Sequence, residues 1–217
     1  MRIDTAPTSR AKVPLRRSQA ERRADTRGKL LDATIACLVD NGYGGTTTTL
    51  VCARAGVSQG ALFKHFDTKA ALVAAATEHL FASLIADYQR TFARLARQTD
   101  KVEAAIAGLR AIFAQPRLHA TFELYLAART DAELAASLIP VSERHRDNLL
   151  AQAQALFPEA AAAHPRFADV LGLVIVAIQG ATLGDFALQD ARRTRDLLEY
   201  LTTIVRRELA AAGHSGS

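Results

Sequence analysis

The sequence predicts an all-α protein. Alanine and leucine dominate it, its 217 residues include only 12 glycines and 6 prolines, and apolar residues recur at spacings of three and four with no strand-like alternation. A chain of this length can bury a substantial core in one large domain or two small ones.

From Thr26 to Asn41, the residues Leu31, Ile35 and Leu38, with Leu30 and Cys37 beside them, mark one face of a first helix that Asn41-Gly42 closes as a C-terminal cap. Thr46 to Thr49 suit an N-cap better than a helix interior, so a second helix begins near Thr47 or Thr48. It ends at Gly56 after about two turns, and Ser58 caps a third helix, roughly Gln59 to Phe66. Asp67-Thr68 opens a long fourth helix from Lys69 to about Arg97, roughly 40 Å in length, with Phe81, Ile85, Tyr88, Phe92 and Leu95 on one stripe.

Val102, Ile106, Leu109 and Phe113 mark a fifth helix closed by Pro116, and Leu118, Phe122, Tyr125 and Leu126 a sixth. A seventh spans Asp131 to Phe157 with a kink at Pro140. An eighth places Pro165 at its first position and runs to about Leu188, and Leu197, Leu201, Ile204 and Val205 carry a ninth. The expected organisation is a basic arm over residues 1–21, a small three-helix unit over 22–70 and a larger helical unit over 71–217, about nine helices in all, with the long fourth helix joining the two units.

Charge is unevenly distributed. Residues 1–29 hold nine basic against three acidic side chains, a net of +6, whereas the remaining 18 basic and 19 acidic residues nearly cancel. A basic arm on a near-neutral body suits a polyanion. Cys37 and Cys52, the only cysteines, lack metal-ligand spacing and read as buried thiols in a reducing compartment. The basic, polar N-terminus leads into no apolar signal region, and the longest apolar run, Val170 to Ile178, is too short to cross a bilayer. The expectation is a cytoplasmic protein with no membrane partner. The carboxylates are dispersed, Ser58 has no base in its helix and no Cys/His or metal set exists, so neither an enzyme nor a cofactor is expected.

The segment AGVSQGALFKHF, residues 55–66, carries the functional signal. Two short helices around Ala-Gly-Val-Ser fit a helix-turn-helix, in which Gly56 lets the chain turn sharply and Val57 plugs the space between the helices. Ser58, Gln59 and Gly60 stand at the N-terminus of the second helix, where free N–H groups and the helix dipole favour a phosphate. Gly60 allows close approach, Lys64 and His65 reach for the backbone one turn later, and Leu62 and Phe66 face inward.

These residues, together with Asn41-Gly42-Tyr43, Thr46-Thr47, Lys69 and Leu72, make residues 27–73 resemble the N-terminal domain of the TetR family of transcriptional regulators. The resemblance implies that Thr47 or Thr48 caps the second helix and meets a phosphate. It further implies that Ser58, Gln59, Gly60 and Ala61 face the groove of operator DNA, and that Phe63, Lys64, His65 and Lys69 hold the DNA backbone. Gln59 is expected to read a base, since its amide can pair with adenine through two hydrogen bonds. Phe63 stands where the family usually has tyrosine, so its contact is apolar. Leu50 and Ala70 replace acids common in the family, which weakens each helix start by ~0.5–1 kcal/mol.

The resemblance also implies a C-terminal effector-binding and dimerisation domain. Candidate effector residues are Ile85, Tyr88, Phe92, Ile106, Phe113, Phe122 and Tyr125, with His119, Arg129 and His145 adding polarity. They suit a small hydrophobic or aromatic effector, and plain core packing is the competing reading. Gly172, Gly180 and Gly184, with Ala177 and Ala181 nearby and Leu201 on the last helix, form the candidate homodimer surface; packing within one chain is the alternative. The expected function is a dimeric repressor released from a palindromic operator by its effector. The alternative is a regulator of the same fold that has no small-molecule effector and is controlled by a protein partner or constitutively bound.

Overall fold

The computed structural model describes residues 18–95 and 100–212, and these form ten helices with no strand among them. Four belong to the N-terminal part: α1 (Gln19–Gly45), α2 (Thr48–Ala55), α3 (Gln59–Phe63) and α4 (Lys69–Leu95). The remainder are α5 (Lys101–Phe113), α6 (Pro116–Ala128), α7 (Ala132–Leu156), α8 (Pro158–Ala163), α9 (Phe167–Leu188) and α10 (Ala191–Ala212).

The first helix starts seven residues before the expected Thr26. Ser18 accepts the Glu21 N–H at 3.1 Å while its own N–H donates to Glu21 Oε2 at 2.6 Å. This reciprocal capping box satisfies two N-terminal donors and fixes the helix start. Arg22 and Arg23 therefore sit on this helix together with Arg27, and residues 1–17 of the basic arm lie outside the described residues. At the other end Gly42 breaks the helix, with φ +65° and ψ −179°, before a final turn to Gly45.

Two further boundaries differ from expectation. Pro158 takes the first position of α8, a short helix that the sequence reading leaves unassigned between its seventh, which ends at Phe157, and its eighth. Pro165 lies in the turn before α9, which starts at Phe167, so it does not open that helix. Pro140 lies inside α7, which continues as a single helix on either side of it.

Two cores result. In the first, Leu30 and Cys37 of α1, Val51 of α2, Leu62 of α3 and Leu72 of α4 close around one another with almost no exposure. The second is larger and draws on α4 through α7, α9 and α10, with Val73, Leu84, Tyr88, Leu124, Leu134 and Ile178 at its centre. Burying a leucine fully is worth about 1.5–3 kcal/mol, so these contacts, and not the exposed ion pairs, hold the helices in place. Both cysteines are buried and free, and burial pushes the Cys52 thiol pKa up.

By length and composition Lys69–Thr91 (mean hydropathy 1.3) and Phe167–Phe186 (1.8) are long and apolar enough to cross a bilayer. The expectation that no stretch is long enough considered only the uninterrupted run from Val170, whereas α9 stays apolar on either side of it. Half of the α4 stretch is buried inside the protein, against 22% of the α9 stretch.

Candidate nucleic-acid interface

Thr47 N-caps α2, its hydroxyl accepting the Leu50 N–H at 3.2 Å, and leucine at that third position returns no bond. Gly56 ends the helix in the left-handed region at φ +67° and ψ +35°, where a Cβ is strained, and its Cβ position meets no atom within 4 Å. Backbone conformation, not crowding, therefore selects glycine here. Val57 N–H then returns to Cys52 C=O at 3.1 Å, and Ser58 caps α3 by accepting the Ala61 N–H at 3.2 Å.

Leu62 is fully buried and Phe66 nearly so, which pins α3 on one face. The opposite face presents Ser58, Gln59, Gly60, Phe63 and Lys64 to solvent, with Ala61 half-buried between them. Phe63 is 47% exposed, too much for a core residue. Gln59 Nε2 donates to Thr49 Oγ1 on α2 at 2.6 Å, so pairing both amide atoms with a base requires that bond to give way.

The helix also brings in residues that the sequence reading did not place in the site. Arg22, Arg23 and Thr26 of α1 line a shallow groove of about 510 Å³ with Ala61, Lys64 and His65. Arg27 lies 5.6 Å over the Phe66 ring. Burial, followed by the charges of Arg23 and Arg27, lowers the His65 pKa, so its imidazole is neutral at pH 7. The missed signal was the Ser18-x-x-Glu21 box, which starts the first helix at Gln19 and so carries Arg22 and Arg23 on it.

Lys69 is placed differently from its expected backbone contact. Its amine donates to Tyr43 C=O at 2.8 Å and lies 4.0 Å over the Tyr43 ring, turned toward α1. Tyr43 is itself fastened to the larger unit: its N–H donates to Glu123 of α6 at 3.2 Å and its hydroxyl to Asp131 Oδ2 at 2.7 Å. Asp131 also caps α7 through the Leu134 N–H at 2.9 Å. These contacts clamp the end of α1 onto the start of α7.

The clamp is sensitive to acid. The Leu134 N–H and then the Tyr43 hydroxyl hold the Asp131 pKa below the usual carboxylate range, and burial, followed by the Asp131 bond, pushes Tyr43 up to about 12. A depressed carboxylate pKa stabilises the fold above the unfolded value near pH 4, and that stability is lost as pH falls through the folded pKa. Tyr43→Phe is therefore expected to lower the melting temperature at pH 7, with the gap to wild type closing below pH 4. A gap that stays constant with pH would show that the bond does not act through this ionisation.

Among the candidate effector residues, Phe113 and Tyr125 border a cavity of about 180 Å³ between α4, α5, α6, α7 and α9. Phe81, Ser142, His145 and Gln179 complete its chemistry. Ile106 instead lines a small void and a surface groove further along α5. Tyr88 and Phe122 are core residues, Ile85 packs against the core, and the Phe92 side chain lies outside the described residues. His119 is likewise apart, its ring 4.6 Å edge-on to Phe186, and Arg129 is exposed.

On α9, a Cβ built at Gly172, Gly180 or Gly184 meets nothing within 4 Å, so no helix among the described residues lies on that ridge. Beside it Leu173 is 51% exposed and Val176 65%, and α10 adds Tyr200 at 65%. Ala177 and Ala181 are half-buried. Leu201 is corrected: at 5% exposure it belongs to the core, one residue round the helix from Tyr200.

Residues 30–76 match the family described as bacterial regulatory proteins, tetR family. An HTH-type transcriptional regulator of Mycobacterium tuberculosis is 33% identical over 69% of this chain and 72% of its own length. The HTH-type transcriptional regulator CymR of Pseudomonas putida is 26% identical over 91% of this chain and 97% of its own. A solved transcriptional regulator from Pseudomonas aeruginosa PAO1 shares the fold with a TM-score of 0.65 at 22% identity, covering 90% of this chain and 94% of that one. FadR from Bacillus subtilis, solved with stearoyl-CoA, gives 0.61 at 13% identity, covering 82% and 96%.

Proposed function

Because the chain belongs to the TetR family of bacterial regulatory proteins and is a helix-turn-helix transcriptional regulator, we propose that it acts in the cytoplasm as a homodimeric repressor, released from a palindromic operator by a small apolar effector. Each subunit offers the Ser58–Ala61 edge of α3 to a major groove, with Gln59 reading a base. Thr47, Thr48, Phe63, Lys64, His65 and the arginines of α1 meet the backbone around it. Lys69 joins them once its tie to Tyr43 opens.

The dimer forms through the exposed apolar faces of α9 and α10. An apolar ridge this exposed needs covering, and a two-fold partner also supplies the second half-site of a palindrome. Gly172, Gly180 and Gly184, with Ala177 and Ala181, let the partner helix come close. Val176→Asp is expected to yield monomers in sedimentation and to abolish operator binding while leaving the helical circular dichroism intact. A variant that still sediments as a dimer would place the interface elsewhere.

The observation that carries the release mechanism is on α6. Tyr125 borders the 180 Å³ cavity, and two residues earlier Glu123 holds the Tyr43 N–H of the DNA-binding unit. A molecule that shifts α6 therefore shifts α1, and an effector that prefers the shifted state draws the population off DNA. The fourth helix follows, since it packs on both α1 and α7. The experiment is selection of bound fragments from genomic DNA, followed by a screen of small aromatic molecules for release. Recovery of palindromic sites, freed by one class of molecule, is the expected result. Diffuse retention insensitive to every molecule would remove both the operator and the effector.

A further inference from the structure

Gln59 is tied to α2 before any DNA arrives. Its Nε2 donates to Thr49 Oγ1 at 2.6 Å, and both residues are exposed on the surface that α2 and α3 share. The two helices are fixed against each other. Val51 of α2 and Leu62 of α3 are fully buried in one core, and the Val57 N–H closes the turn between the helices on Cys52 C=O. Thr49 is β-branched and stands in the first turn of α2, so its χ1 has few choices, whereas a glutamine has a long side chain with much rotamer freedom to lose. Thr49 is therefore the fixed member of the pair, and Gln59 is the one positioned.

The bond decides which amide atom meets a base. With Nε2 held on α2, Oε1 is left without a protein partner among the described residues. A two-bond pair with adenine needs Nε2 to turn to the base edge beside Oε1, which the Thr49 bond opposes. An oxygen reading alone asks only for a donor. In the major groove adenine N6 and cytosine N4 both supply one, while guanine and thymine present only acceptors, which repel it.

We propose that Thr49 is a positioning residue that sets base specificity: by holding Gln59 Nε2 it makes Oε1 the reading atom, so the base read is adenine or cytosine and not adenine alone. The proposal rests on the reading of operator DNA by α3, and the two fail separately because Gln59 and Thr49 are varied apart.

The full-length dimer and its Gln59→Ala variant each select fragments from a random DNA pool, and the position whose preference the variant loses is the one that Gln59 reads. Each of the four bases is then placed there, in both half-sites of an otherwise constant operator, and titrated against wild type, Thr49→Val and Thr49→Ser. Wild type should bind the adenine and cytosine operators within about threefold of each other, and the guanine and thymine operators about tenfold or more weakly. Thr49→Val, which keeps the shape and removes the hydroxyl, should free the amide and favour adenine over cytosine by about fivefold or more. Thr49→Ser, which keeps the hydroxyl, should restore the wild-type order.

A wild-type preference for adenine over cytosine of about tenfold or more overturns the proposal. So does a base order that Thr49→Val leaves unchanged, or that Thr49→Ala leaves unchanged should the valine variant not fold. Affinities that fall by one common factor at all four bases give that result and would assign the Thr49 hydroxyl to a phosphate. A Gln59→Ala protein that keeps every base preference refutes the reading by Gln59 itself, and the proposal with it.

Discussion

Replacing Gln59 and Lys64 together by alanine is expected to abolish sequence-specific operator retention without changing the melting temperature. A side chain that reads a base is worth about 1–3 kcal/mol, and a two-fold dimer uses it twice, so Gln59 alone accounts for roughly 30-fold or more in specific affinity. Loss of Lys64 weakens binding to all sequences and lowers the salt slope by about one unit per subunit. Both side chains are exposed, and the Gln59 bond to Thr49 lies on the surface, so stability should stay within about 0.5 kcal/mol. The measurement is a footprint at several salt concentrations beside a thermal melt. Protection of the same palindromes by the double variant would mean that α3 does not read the operator.

The second large effect is expected at Gly42, where alanine should lower the melting temperature by roughly 5–15 °C. At φ +65° and ψ −179° the backbone occupies a region open almost only to glycine, a conformation that costs other residues about 1–3 kcal/mol. The added Cβ would also fall 2.3 Å from Glu123 Oε2. That carboxylate must swing away and release the Tyr43 N–H, which adds about 1 kcal/mol. At about 2–4 °C per kcal/mol for a chain of this size, the two contributions give the stated range. Gly28→Ala is the control: its Cβ meets nothing within 4 Å in a helix interior, and it should stabilise slightly. A Gly42→Ala protein that melts within two degrees of wild type would show that neither the backbone nor the carboxylate constrains this joint.

The recognition unit was legible in the sequence because its determinants are local. Thr47 and Ser58 accept from N–H groups three residues on, Gly56 donates to carbonyls three and four residues back, and Leu62 and Phe66 follow from helical spacing. The capping box at Ser18 was equally local, but a tally of charges over residues 1–29 hid it inside a presumed arm. The candidate effector residues were harder for a physical reason. A helical stripe must be buried whether it meets a neighbour or a void, so periodicity cannot separate Phe113, which borders the cavity, from Tyr88, which is core. Leu201 failed similarly, since which side of α10 faces the core depends on α5 and α9. The Tyr43 clamp joins residues about 80–90 positions apart, and no local pattern encodes such a pairing.

The way α4 is shared between the two cores sets a rule for anyone building chimeras from this protein. Leu72 packs with the recognition helices, and its neighbour Val73 packs with the larger core. A recombination junction at the start of α4 would therefore separate a reading head from one of its own core leucines. A working graft has to carry α4 through Ala76, which still belongs to the first core, and match position 123 of the recipient to Gly42 of the donor. The reading head is thus portable only together with a piece of the larger unit on which it is seated.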